Sequence, residues 1–334
     1  MGRMTLDEIR GLVADEMAAV DRVIRTRLGS TVPLVSQVAE HIVAGGGKRL
    51  RPLVVLLSSH AASPGSRASG ERHIEAAGFI EFIHTATLLH DDVVDHSDMR
   101  RGRQTANALF GNEASVLVGD FVYSRAFQMM AAIGVQQVME IMADATNVIA
   151  EGEVLQLMNA QDPDTTEERY LEVIHRKTAK LFEAGAQVAA VLAGGSVEAQ
   201  RALAEYGRRL GTAFQLIDDV LDYRSDPSTR GKNLGEDLAE GKMTLPLIHT
   251  LKHAPPADRE LIRTAVAGAG DGARRQSDLG RIVACIDAAG GIEYTQQRAV
   301  EESQAAAAAL ALVPDSPYRR ALADLAELAV GRDR

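Results

Sequence analysis

The sequence has no tryptophan, a single cysteine and only 4% aromatic residues over 334 positions. One cysteine, Cys285, excludes an internal disulfide and a cysteine-built metal site, and it suits a reducing cytosol as a small buried apolar residue. With so few aromatics, any large apolar pocket must be lined by Leu, Ile, Val, Met and Ala. Basic charge is also short, since 36 Lys and Arg against 46 Asp and Glu leave a net charge of −10. That balance disfavours nucleic acid as a partner, because phosphate backbones need a basic face. An anionic substrate must instead meet a local cluster of cations. The first residues carry Asp7, Glu8, Asp15 and Glu16 at helical spacing where a signal peptide would have a basic and then an apolar stretch. No unbroken apolar run approaches the roughly 18 residues that span a bilayer. These absences predict a cytoplasmic protein with no integral membrane segment.

What is present is helical periodicity. Apolar residues recur at spacings of three and four, as in Ile9, Leu12, Val13, Met17, Val20 and Val23, while strand-like alternation is scarce. Turn-forming residues gather at Ala44 to Gly47, Ser63 to Gly70, Arg101 to Gln104, Asp162 to Thr165, Asp226 to Glu236, His253 to Ala257, Ala269 to Gly272 and Val313 to Pro317. Roughly ten to twelve helices fit between them. Hydrophobic residues make up 46% and neither half is charge-segregated, so the chain reads as all-α, a single large helical bundle over residues 1–334.

One internal echo carries the chemistry. Ala86-Thr87-Leu88-Leu89-His90-Asp91-Asp92-Val93-Val94-Asp95 is answered by Ala213-Phe214-Gln215-Leu216-Ile217-Asp218-Asp219-Val220-Leu221-Asp222. A single long offset points to two facing helices with the same device and not to a short-period solenoid. On a helix, Asp91 and Asp95 stand one turn apart with Asp92 beside them, and Asp218, Asp222 and Asp219 repeat the arrangement. Like charges so placed cost a few tenths of a kcal/mol on an open surface and more beside apolar walls, so a cation is needed to offset them. Hard carboxylate oxygens with room for water and phosphate suit Mg²⁺ better than a caged Ca²⁺ or Zn²⁺. A lone trio would also fit a solvated acidic face, which a second matched copy argues against. His90-Asp91 could open the metal pair of a phosphohydrolase, but His41, His60 and His73 stand in no comparable pattern.

The cationic counterpart begins at Gly45-Gly46-Gly47-Lys48-Arg49-Leu50-Arg51-Pro52, a glycine turn with three cations before a helix start, where free amides also favour an anion. Its spacing is not that of a Walker A loop. Arg100 and Arg101 follow the first trio, and each guanidinium can grip a phosphate with its planar fork. Lys177, Lys232 and Lys242 add further cations. Each alone also fits plain surface charge; together with the trios they describe a site for two diphosphates and bridging metals.

These motifs resemble the bacterial trans-polyprenyl diphosphate synthases, particularly the octaprenyl-forming members that serve ubiquinone synthesis. The likeness runs nearly end to end, through Gly45 to Pro52, Ile80 to Asp95, Arg100 to Gly102, Val116 to Met130, Asn147 to Met158, Lys177 to Ala184, Gly211 to Tyr223, Gly231 to Leu247 and Arg332 to Arg334. It implies an isoprenoid synthase fold with a central active-site cavity, and a homodimer. It also implies that Asp91 and Asp95, with Asp92 beside them, hold two Mg²⁺ on an allylic diphosphate, and that Asp218, with Asp219 and Asp222 nearby, holds a third. Arg100, Lys177 and Lys242 would grip that diphosphate. Isopentenyl diphosphate would lie against Lys48, Arg51, His84 and Arg101, with Thr178 and Gln215 near the reacting carbons and Lys232 near the metals. The residue types agree with an allylic C–O bond that breaks to a carbocation as charge on the leaving diphosphate is neutralised.

Product length is read from Ala86 and Thr87, small residues where the short-chain relatives tend to be bulky, which leaves a tunnel open. Beside a helix of roughly 25 residues such a tunnel can reach ~35 Å. Phe127 and Met130 are candidates for its floor, and equally fit simple core positions. Resemblance favours a forty-carbon product grown from farnesyl diphosphate, with thirty-five and forty-five as neighbours. A terpene cyclase, a helical scaffold and a non-catalytic subunit of a mixed dimer are the competing readings. Low aromatic content, clustered cations and two intact trios speak against them in turn.

Overall fold

The computed structural model describes residues 2–63, 65, 70–100, 102–224, 235–268 and 272–331. In chain order its helices are α1 (Leu6–Gly11), α2 (Ala14–Arg27), α3 (Pro33–Ala44), α4 (Leu50–Ala62), α5 (Arg72–Val94), α6 (Ala106–Phe110), α7 (Asn112–Ile133), α8 (Gln136–Asn159), α9 (Glu167–Ile174), α10 (Lys180–Leu192), α11 (Val197–Arg224), α12 (Glu236–Ala239), α13 (Leu245–His253), α14 (Pro256–Ala267), α15 (Gly272–Ala288), α16 (Gly291–Ala309) and α17 (Pro317–Val330). Local chemistry starts and stops them. Thr5 opens α1 with a capping box: its hydroxyl accepts from the Glu8 amide while the Glu8 carboxylate accepts from the Thr5 amide. Thr166 and Ser316 cap α9 and α17.

The helices are more numerous than the sequence predicts because one or two glycines are enough to divide long periodic stretches. Gly111, Gly134 and Gly290 take φ of 89°, 69° and 72°, a backbone region open to glycine at little cost, and no run of polar turn residues marks those places. The predicted turn at Arg101 to Gln104 is a two-stranded hairpin in which β1 (Met99–Arg100) pairs antiparallel with β2 (Arg103–Gln104). The breaks around Asp226 and Ala269 and the closing Arg332-Asp333-Arg334 fall wholly or mainly outside the described residues.

Helix α7 is long and apolar enough to cross a bilayer by length and composition. Glu113, Asp120 and Arg125 interrupt it, so no unbroken apolar run is visible in the sequence. In the fold it packs along α5 and buries Val118, Val122, Ala126, Met129 and Met130.

Apolar side chains form two cores. The larger joins α2, α4, α5, α7, α8, α10, α17 and the first half of α11, and the smaller joins the second half of α11 to α13, α14, α15 and the start of α16. Helix α11 belongs to both, with Leu203, Tyr206 and Leu210 in the first and Leu216, Ile217, Val220 and Leu221 in the second. Cys285 is buried, as predicted.

Between α9 and α10 the chain makes a single π-helical turn, His175–Ala179, of the kind that commonly marks functional positions. It is gripped from two sides by glycines. A Cβ on Gly152 of α8 would lie 2.7 Å from Arg176 Cβ and 2.9 Å from the Lys177 amide nitrogen, and one on Gly211 of α11 would lie 2.6 Å from Ala179 Cα. The missing side chains let three backbones approach closely enough to set Lys177 and Thr178. Gly211→Ala must push α11 off this turn, and overpacking of this kind costs about 1–3 kcal/mol; a lowered urea midpoint with an unchanged slope is the expected result, and full wild-type stability would contradict the account.

Candidate active site

The two acidic repeats occupy the last turns of α5 and α11, and both open onto one cavity of ≈620 Å³. Asp91 and Asp95 line it from the first repeat and Asp218, Asp219 and Asp222 from the second. Lys48, Arg51, Arg100, Lys177 and Lys242 line it as well, as do His84, Thr87, Thr178 and Gln215. Asp92, Ala86, Phe127 and Met130 do not, and Arg101 and Lys232 lie outside the described residues.

Each trio has a buried middle member held by the protein. Asp92 accepts from the fork of Arg100, 2.8 Å from Nε and 2.7 Å from Nη2, an approach made possible by the hairpin that folds Arg100 back over α5. Asp219 accepts from the Tyr170 hydroxyl at 2.5 Å and from the Gln215 amide at 2.8 Å. Gln215 in turn accepts the Thr178 hydroxyl at 3.1 Å, so its amide orientation is determined at both ends. Asp222 accepts the backbone amide of Asp237 at 3.2 Å, which ties α12 to the second trio.

The half-buried outer aspartates of the first trio meet lysines. Lys177 Nζ lies 3.3 Å from Asp91 and 2.5 Å from Glu153, and Lys242 Nζ lies 2.9 Å from Asp95 and 2.5 Å from Glu240. Burial would lower the pKa of the Lys177 ammonium, but Asp91 and Glu153 outweigh it and hold it above its ordinary value. Lys242 is raised in the same way by Glu240 and Asp95. Both lysines are therefore fixed charges. The acids bear the opposite imbalance: burial and then Asp91 push the Glu153 carboxyl up to about 7, and burial and then Asp237 push Asp219 up to about 8. The cavity thus holds more carboxylate than its own cations neutralise, and the donors are hard oxygens suited to a divalent cation and diphosphate oxygens.

Glu153, Glu240 and Tyr170 were not singled out from the sequence. Glu153 lies in the stretch Asn147 to Met158, but nothing in its spacing shows that α8 will face Lys177. Arg49, one of the three cations of the glycine turn, also lines the cavity, where it pairs with Glu81 and stands at the N-cap of α4 with a left-handed φ of 48°.

Residues 32–284 match the family model for polyprenyl synthetase. The chain belongs to the polyprenyl synthetase family. It is 54% identical over 331 residues to octaprenyl diphosphate synthase of Escherichia coli (strain K12), covering 99% of this chain and 100% of that protein. It is 50% identical over 330 residues to octaprenyl diphosphate synthase of Haemophilus influenzae, covering 99% and 98%. Among solved structures, a polyprenyl synthase from Caulobacter crescentus CB15, complexed with calcium and isoprenyl diphosphate, superposes with a TM-score of 0.94 at 42% identity, with each chain covered in full. The all-α isoprenoid synthase fold expected of a polyprenyl synthetase is the fold observed.

Tyr170 lines the cavity as a support for Asp219, so Tyr170→Phe removes a donor while keeping the ring. Loss of such an outer support weakens metal binding roughly 10-fold to 100-fold; calorimetric titration with Mg²⁺ in the presence of inorganic pyrophosphate should show that drop, and unchanged affinity would remove Tyr170 from the site.

Proposed function

We propose that this polyprenyl synthetase is a long-chain trans-polyprenyl diphosphate synthase. It condenses isopentenyl diphosphate repeatedly with an allylic diphosphate, farnesyl diphosphate in the first instance, to reach about octaprenyl diphosphate for a ubiquinone or menaquinone side chain. The observation that carries this reading is the single cavity in which two aspartate repeats face several lysines and arginines, in a chain alike over its full length to octaprenyl diphosphate synthases.

In this reading Asp91, Asp95, Asp218 and Asp222 hold Mg²⁺, three ions per site, with Asp92 and Asp219 orienting their neighbours. Mg²⁺ when bound supplies positive charge to the departing diphosphate. Lys177 and Lys242, now on Asp91 and Asp95, turn to the allylic diphosphate together with Arg100. Lys48, Arg51, His84 and Arg101 hold isopentenyl diphosphate, with Lys232 near the metals. The allylic C–O bond breaks with its electron pair leaving on diphosphate, the isopentenyl π pair attacks the cation, and the proton released goes to the diphosphate. The Gln215 carbonyl and Thr178 hydroxyl place their dipoles beside the positive carbons. Lys177, held charged, is no base.

The whole chain acts as one domain in the cytoplasm, and a second copy completes it. Leu117 of α7 and Leu157 and Met158 of α8 are 67%, 65% and 72% exposed, on two helices joined by a tight turn. Such apolar surface suits a homodimer interface. Helix α5, 23 residues long, spans about 35 Å, and the growing chain runs along it past Thr87 and Ala86 toward Phe127 and Met130 on α7.

Incubation with farnesyl diphosphate, labelled isopentenyl diphosphate and Mg²⁺ should give a product ladder ending near forty carbons. EDTA and Asp91→Ala should each abolish it, and no incorporation by folded protein would favour a non-catalytic subunit. Phe127→Ala should lengthen the ladder by at least one isoprene unit, and an unchanged ladder would make Phe127 a plain core residue.

A further inference from the structure

Away from the cavity, one carboxylate and two imidazoles converge from three helices. Glu16 of α2 meets His60 in the last turn of α4 and His73 in the first turn of α5. His60 Nε2 lies 2.9 Å from each Glu16 oxygen and His73 Nε2 lies 2.7 Å from Oε1. One ligand atom from each residue falls within 4.8 Å of the others. The rings stand edge to face, 5.7 Å between centroids with planes 75° apart, so the two Nε2 atoms approach the carboxylate from different directions. Tyr318 of α17 stacks on His60 at 4.4 Å and backs that ring.

We propose that Glu16, His60 and His73 form a binding site for a divalent transition-metal ion of the Zn²⁺ class, separate from the cavity. Two imidazoles and a carboxylate are a donor set of zinc sites, and imidazole nitrogen selects such ions over Mg²⁺ or Ca²⁺. The geometry needs little adjustment: bonds of about 2.0–2.2 Å in tetrahedral array put neighbouring donors roughly 3.3 Å apart, about half an ångström beyond the present carboxylate–imidazole separations, with the two imidazole nitrogens within 4.8 Å of each other. The Glu16 carboxylate already faces both imidazole Nε2 atoms, so the three donors stand together before any ion arrives. His60 and Glu16 are only partly buried, which leaves an entry path and a position for water. On binding, the ion replaces the Nε2 protons, and each ring then carries its proton on Nδ1. His73 Nδ1 is buried and has no hydrogen-bond partner among the described residues. Without an acceptor there the affinity falls 10-fold to 100-fold below that of a fully supported site.

The consequence is mechanical. Helices α4 and α5 begin and end at the cavity, with Arg51 in the first turn of one and Asp91 in the last turn of the other. The metal joins their far ends to α2, ~27 Å along α5 from Asp91. It is a staple on the two helices that carry substrate-facing charge.

The test uses the full chain, freed of metal by chelation and then held in excess Mg²⁺ to saturate the acidic trios. Titration with Zn²⁺ by calorimetry should show one ion per chain. Co²⁺ should develop visible d–d absorption, and Zn²⁺ should raise Tm by on the order of 3–6 °C. His60→Gln should lower Zn²⁺ affinity at least 100-fold while prenyl transfer stays intact, which also reports that the variant folds. Nitrogen-15 spectra of the wild-type histidines give a second readout, with the Nε2 signals of His60 and His73 moving on Zn²⁺ addition. Absence of Zn²⁺ binding, binding that survives His60→Gln, or binding displaced by excess Mg²⁺ would each overturn the proposal.

Discussion

Carboxylates gathered at the ends of two helices that face one cavity repel one another, and the rest of the cavity is organised around that repulsion. Two like charges 4 Å apart cost roughly 4 kcal/mol at the effective dielectric of a protein surface. Lys177, Lys242 and Arg100 each sit on an aspartate of the first trio, and Tyr170 and Gln215 supply donors to the buried member of the second. Burial first, and neighbouring carboxylates after it, still raise the Glu153 and Asp219 carboxyls. A site so rich in carboxylate oxygens has the donors that a divalent cation requires.

Holding such charges together requires rigid supports. The close approaches at Gly152 and Gly211 lock the π turn of Lys177 and Thr178 between α8 and α11. The same logic applies where α11 passes α10, since a Cβ on Gly207 would lie 2.4 Å from the Phe182 carbonyl oxygen. Phe182 in turn carries Arg51, whose guanidinium stacks over its ring at 4.5 Å. Packing and electrostatics are thus one problem here: the glycines set helix spacing, and the spacing sets which ion pairs can form.

Much of this was legible in the sequence, and the reasons differ from residue to residue. Helix class followed from apolar spacing, and the acidic repeats were visible because a helix turns a four-residue interval into a shared face. Asp91, Asp95, Asp218, Lys177 and Lys242 could be gathered into one site because the motif was doubled and the net charge made cation clusters stand out. The pairing of Asp92 with Arg100 was hidden, since it depends on a six-residue hairpin whose sequence reads as an ordinary turn. Helix boundaries at Gly111 and Gly134 were hidden too, because one glycine suffices and no cluster of turn residues accompanies it. His60 and His73 stood in no motif, and only the convergence of α2, α4 and α5 sets them against Glu16.

By itself the sequence determined the helical class, the two acidic repeats and the cationic segments, because each is a local property of spacing and charge along one helix or turn. Only the tertiary structure decided which lysine answers which aspartate, that Glu153 and Glu240 share the lysines, that Asp92 turns inward while Asp91 and Asp95 face the cavity, and that a histidine pair meets a glutamate far from it. Those outcomes depend on distances between helices, and the distances come from the packing of side chains, and of glycines without them, across segments far apart in the chain.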